Sequence, residues 1–185
     1  MLVNPMPKLQ CQTYVWFGSF PLIDPNCGWY CAEAMLAHWY QRIENKVPSK
    51  SIPLPCGTLF GYDPYDANKD RYKDAIKKSG IPKDVKGWQS MLDLYGPLIL
   101  MGKLGNVGIA TVGHFVLIVG ADANKGELFY KDPLLGDSIE TYDFSKIENS
   151  CYCVYYTNRV GALLIFNKLG LINKNEKTEI VEIKE

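Results

Sequence analysis

Between Gly113 and Pro133 the chain spells out a β-hairpin with chemistry at its open end. Gly113-His114-Phe115-Val116-Leu117-Ile118-Val119-Gly120-Ala121-Asp122 is an apolar, β-branched run that predicts a strand. Asn124-Lys125-Gly126 is a turn signal. A second short run, opening at Glu127, ends on Asp132-Pro133. In an antiparallel pair the start of one strand lies opposite the end of the next. His114 and Asp132 are therefore expected to touch. A carboxylate that fixes a histidine tautomer is the orienting half of a catalytic triad. A nucleophile has to come from elsewhere in the chain.

It comes from the first clear helix, predicted over Cys27 to Ile43 with Asn26 as N-cap. Positions 27, 31, 34, 35 and 38 recur on one face, and the helix is apolar around most of its circumference, so it should be buried centrally. A cysteine in a first helical turn sits where unpaired N–H groups and the helix dipole stabilise a thiolate. With a histidinium beside it, such a thiol can ionise at a pKa of roughly 3–4. Cys27 holds that position. Cys31, one turn deeper, is expected to pack as a small apolar residue. His38, among aromatics in mid-helix, reads as structural, and Trp29 reads as a packing residue that could also line a cleft.

Composition narrows the function classes. The formal net charge is zero and the Lys and Arg residues are scattered, which argues against a nucleic-acid or anionic-membrane partner. No apolar run approaches the ~20 residues that span a bilayer, and the N-terminus shows no conventional signal peptide. The six cysteines are Cys11, Cys27, Cys31, Cys56, Cys151 and Cys153. Three disulfides are conceivable, but with no secretory signal mostly reduced thiols are expected. Cys27-x₃-Cys31 comes near a zinc-ligand spacing without completing one.

A cysteine opening a buried helix, a Gly-His-Phe-Val-Leu-Ile-Val-Gly strand and an Asp-Pro closing the next strand together resemble the papain-like cysteine peptidases. The compact bacterial branch is most similar: the C39 peptidases, which cleave after double-glycine leaders, and the AvrRpt2-like effectors. Asn26-Cys27-Gly28-Trp29-Tyr30-Cys31 looks like the C39 cysteine motif. Gly96-Pro97-Leu98-Ile99-Leu100-Met101 looks like the strand that precedes the histidine hairpin. The resemblance covers roughly residues 8–145. It implies Cys27 as nucleophile, His114 as acid and base, and Asp132 as orienter, with no metal or organic cofactor. Asp122 and Asp137 are alternatives for the orienting role, although Asp122 ends the strand that His114 begins and should lie far off. These families usually place an oxyanion-hole glutamine about six residues before the cysteine. Here that neighbourhood is Ser19-Phe20-Pro21-Leu22, so Gln12 or Gln10 is the candidate, Gln12 being the nearer.

The remainder reads as support. Residues 1–26 form an irregular lead-in, with Gln10–Phe17 as a short strand at most and Pro21, Asp24 and Pro25 breaking any regular element. Val47–Pro64 should be loop. Asp70–Gly80 and Asp84–Tyr95 read as helices, the second with Val85, Trp88, Met91, Leu92 and Tyr95 on one face. Leu98–Met101 reads as a core strand, and Gly102–Gly113 as a glycine-rich loop that could close over substrate. Thr141–Phe144 is strand or turn, while Tyr152–Tyr156 and Val160–Phe166 read as two strands joined at Thr157-Asn158-Arg159. The expected fold is α+β: a buried N-terminal helix carrying the nucleophile, packed on an antiparallel sheet built from residues 97–166. Residues 1–170 form one domain, followed by a charged tail, 171–185, in which Ile180–Ile183 could add an edge strand.

The expected activity is cleavage of a protein substrate. A papain-like domain of this size without a transporter segment resembles bacterial toxin and effector domains. That resemblance implies synthesis in the cytoplasm, delivery by machinery that needs no cleaved signal, and an immunity protein as partner where the victim is a related bacterium. Two other readings stand beside it. The same triad performs acyl transfer on glutamine side chains and hydrolyses simple amides, and a silent papain-like domain can serve as a binding module.

Overall fold

The computed structural model describes residues 1–10, 14–17, 20–23, 27–52, 75–102, 114–146 and 151–172. Among these, the main sheet has six strands in the order β3-β8-β4-β5-β6-β7, each antiparallel to its neighbours. They are β3 (Lys77–Ser79), β4 (Leu98–Gly102), β5 (His114–Asp122), β6 (Glu127–Lys131), β7 (Glu140–Asp143) and β8 (Cys151–Tyr156). A separate hairpin pairs β1 (Tyr14–Phe17) with β2 (Phe20–Ile23). The helices are α1 (Cys27–Glu44), α2 (Val85–Tyr95) and α3 (Arg159–Lys168). Both α1 and α2 pack on β4 and β5, and α3 packs on α1. The layout is the expected α+β arrangement, with the helix that begins at Cys27 lying on the sheet.

β5 is the spine because its sequence suits burial on both faces. From Phe115 to Ala121 every residue is buried. An unbroken apolar run, rather than an alternating one, is what a strand covered on both sides requires. The β5–β6 ladder runs from Asp122↔Glu127 to Leu117↔Lys131, with an irregularity between Ile118 and Gly120. That register brings Asp132, one residue beyond β6, back toward the His114 end of β5.

α2 is bounded as its sequence predicts. The Asp84 carboxylate accepts from the Gly87 N–H at 2.7 Å, an N-cap, and Gly96 closes the helix at φ 66° with its N–H on the Leu92 carbonyl. Gly96 also lies directly under His38: a Cβ there would fall 2.6 Å from the ring Nε2. Gly96→Ala combines a disfavoured backbone with overpacking. It should cost about 3 kcal/mol, lowering Tm by roughly 10 °C for a chain of this size, as thermal denaturation would show.

Four expectations need correction. Val160–Phe166 is not a strand but most of α3. Asn158 caps that helix, its side chain accepting from the Gly161 N–H at 2.9 Å, and the buried positions 161, 162, 165 and 166 have helical spacing. A short apolar run cannot by itself tell a helix from a buried strand. Within the expected helix Asp70–Gly80, residues 77–79 form β3, an edge strand paired with β8, so tertiary pairing overrides local propensity. Pro21 does not break β2; it pairs with Trp16 in a two-stranded ribbon, where both strands are edges and a missing donor is tolerated. The main sheet accordingly runs from residue 77 to residue 156 rather than over 97–166, and Gly102 belongs to β4. Thr141–Phe144 is both things expected of it, the end of β7 running into a turn of 3-10 helix. Asn26, the loop over 103–113, residues 53–64 and Ile180–Ile183 lie outside the described residues.

The first ten residues form a strap across the sheet. Beyond Ile118, β5 has outrun β4, and the strap takes that free edge: Val3 N–H donates to the Val119 carbonyl and Ala121 N–H to the Met1 carbonyl, both at 2.9 Å. Further along, the Pro5 carbonyl meets His38 and the Pro7 carbonyl accepts from Lys131. The Leu9 N–H then donates to Asp137. The two prolines lack an N–H, and each fixes the strap through its carbonyl instead.

Candidate active site

Cys27 opens α1, His114 opens β5 and Asp132 follows β6, so three element ends meet at one point. The Asp132 carboxylate is 1% exposed, and its Oδ1 lies 2.8 Å from His114 Nε2. The same oxygen accepts from the Leu134 N–H at 2.8 Å, an Asx turn. The Asp132 carbonyl accepts from the N–H groups of Leu135 and Gly136. A residue before proline favours extended backbone, a bias that Pro133 places on Asp132. Together these bonds leave the carboxylate one pose.

With Nε2 committed to Asp132, Nδ1 is the nitrogen left to interact with Cys27, the other acidic group that raises the ring's pKa. Burial alone would drive the imidazole toward neutrality. The bonds to Asp132 and Cys27, and the charges of both, overcome it and raise His114 from 6.5 to about 9. At neutral pH the ring is an imidazolium between two acidic groups.

The chain's other histidine shows the contrast. His38 is 1% exposed. Its Nδ1 lies 2.6 Å from the Pro5 carbonyl, which can only accept, so Nδ1 carries the proton. Nε2 is buried with no partner among the described residues. Burial, helped by nearby Arg42 and opposed by the Pro5 bond, pushes this ring down to about 4.

The two rings affect stability in opposite directions. His38 refuses a proton that the unfolded chain accepts below pH 6.5. Its contribution is therefore present above 6.5 and lost as pH falls toward 4, by about 3 kcal/mol. His114 keeps a proton that the unfolded chain releases. Its contribution is full below 6.5 and lost as pH rises through about 9. Urea midpoints should fall on both sides of pH 6.5, and His114→Ala should flatten the decline between 6.5 and 9 while sparing the acid side.

The two helix cysteines are also distinguished. Cys31 is fully buried, and its thiol is pushed up by that burial, then by Cys27 and Asp132. It stays a neutral packing residue, as its depth in the helix predicts. Cys27, Cys31 and Cys153 are free thiols. Among the described residues no group of His, Cys, Asp or Glu could hold a metal ion, and no helix is long and apolar enough to cross a membrane.

The remaining candidates fall elsewhere. Gln10 is exposed, donates its amide to Ser51 Oγ at 2.9 Å, and lines a cleft of about 350 Å³ beside α1 with Tyr30, Glu33 and Ala37. Gln12 lies outside the described residues. Asp122 caps the β5–β6 turn through the N–H groups of Asn124 and Lys125. Asp137 binds Lys131 Nζ at 2.6 Å instead of His114. Lys131, whose side chain is 4% exposed, escaped the sequence reading. Its only signal there was a lysine breaking an apolar strand one residue before Asp132.

No curated protein matches this chain. A family model does: that of the papain-like cysteine protease AvrRpt2 matches residues 20–146, a span that holds Cys27, His114 and Asp132 and excludes both glutamines. The match covers well over half of the 185 residues, and with the helix-on-sheet fold it makes the chain a papain-like cysteine protease of the AvrRpt2 family.

Proposed function

We propose that this protease is an endopeptidase that works through Cys27, His114 and Asp132. The observation that carries the reading is His114 held between an aspartate at 2.8 Å and the cysteine at the start of α1. Cys27 attacks the scissile carbonyl as a thiolate. The imidazolium of His114 protonates the departing amine, leaving a thioester on Cys27. The neutral ring then takes a proton from water, which attacks the thioester and frees the second product. Asp132 keeps the ring's tautomer and offsets its charge. Backbone N–H groups at the start of α1 serve the oxyanion, with a glutamine side chain as a further donor. Gln10 is engaged with Ser51, which favours Gln12 for that role.

The substrate is a protein in a target cell, cut at small residues of the Gly-Gly kind. This follows from the resemblance to effector and double-glycine peptidases, as do signal-independent export and a neutralising partner in the producer. To test the reading, the protein and its Cys27→Ala variant are incubated with a target-cell lysate, and new N-termini are mapped by mass spectrometry. Endoproteolysis predicts neo-N-termini that depend on Cys27 and have small residues before the cut. Glutamine side chains converted to glutamate without new termini would replace this reading with a deamidase.

A further inference from the structure

We infer that the Lys131–Asp137 pair, a buried lysine on an exposed aspartate, is a positioning device for the catalytic centre, tying the turn that carries Asp132 to the N-terminal strap. The inference rests on the triad proposed above.

Lys131 immediately precedes Asp132. Its Nζ donates to Asp137 Oδ1 at 2.6 Å and to the Pro7 carbonyl at 2.8 Å. Asp137 in turn accepts from the Leu9 N–H at 2.7 Å. One ammonium and one carboxylate, bonded to each other, therefore join two chain segments at two points. On one side lies the turn from Asp132 to Asp137, whose first carboxylate holds His114. On the other lies the strap through Pro7 and Leu9. Leu9 is 2% exposed, so the strap is anchored apolarly at the same place.

A buried lysine needs a reason, because its charge is costly to desolvate and a hydrophobic residue of similar volume often serves stability as well. What a methionine could not do is hold Asp137 and Pro7 at fixed distances from the residue beside it. Small displacements of an orienting group matter because a catalytic site tolerates about 0.5 Å. The charged groups around these atoms are Lys131 and Lys8 near Asp137, and Asp132 and Cys27 near His114.

The test is the pH profile of iodoacetamide alkylation at Cys27, followed by mass spectrometry, which needs no identified substrate. In the wild type the profile should change near pH 9, where His114 loses its proton. In Asp137→Asn, with the turn released, that change should move down by about one pH unit. Asp137→Asn leaves a buried lysine unpaired and could simply unfold. The double variant Lys131→Met/Asp137→Asn removes both charges and is the deciding case. Melting near the wild-type temperature with a displaced profile supports positioning. A folded double variant with the wild-type profile overturns it and makes the pair a packing feature. A wild type with no change near pH 9 would overturn the triad itself, and the inference with it.

Discussion

His114→Ala should reduce peptide hydrolysis by about 10⁴-fold or more while leaving the protein folded. His114 is hydrogen-bonded to Asp132 and interacts with Cys27, and in the proposed mechanism it serves each half-reaction. In that mechanism it supplies the proton to the leaving amine and later removes one from water. Removing such a shared group costs nearly as much as removing the whole set, because the members act as a unit. Alanine at position 114 empties a place at the rim of the sheet rather than in the core, since the native side chain is 13% exposed. Circular dichroism should therefore be unchanged where turnover is lost. Residual turnover within tenfold of wild type would show that another base does the work.

Asp132→Asn should be nearly as damaging, for a different reason. Asparagine keeps an oxygen that can accept from Leu134 and His114, so the turn survives. It removes the negative charge beside a buried imidazolium. Of the influences on His114, burial lowers its pKa and Asp132 is the first of those that raise it. Without the carboxylate the ring should titrate near or below 6.5 instead of near 9. At neutral pH most molecules would then lack the proton the leaving amine needs. Turnover should fall by about 10³-fold, and the alkaline change in Cys27 alkylation should shift by two pH units or more. Asp132→Ala adds the loss of the Asx turn and should be less stable than Asp132→Asn in urea.

The parts of this molecule that could be read in advance are those whose reason is local. His114 and Asp132 could be paired because one strand, one turn and a second strand follow directly in the chain, and antiparallel geometry does the rest. Cys27 could be placed because an N-terminal turn has its own electrostatics. α2 announced both ends through Asp84 and Gly96. What stayed hidden depends on distant partners. β3 is a strand only because β8 lies beside it, and Lys77-Lys78-Ser79 carries no apolar signature of its own. α3 has the look of a strand because its apolar residues cover most of a short helix, and the deciding clue, the cap Asn158, sits in a turn-like Thr157-Asn158-Arg159. The Lys131–Asp137–Leu9 junction spans 128 residues of sequence, and nothing near Leu9 points to it.

The central claim is that His114 activates Cys27. The most direct measurement is the rate of Cys27 alkylation by iodoacetamide at about pH 7, with the modified residue identified by mass spectrometry. Pairing with His114 predicts labelling that is selective for Cys27 over Cys31 and Cys153 and slower by about tenfold or more in His114→Ala. Equal rates at Cys27 in the wild type and in His114→Ala would contradict it.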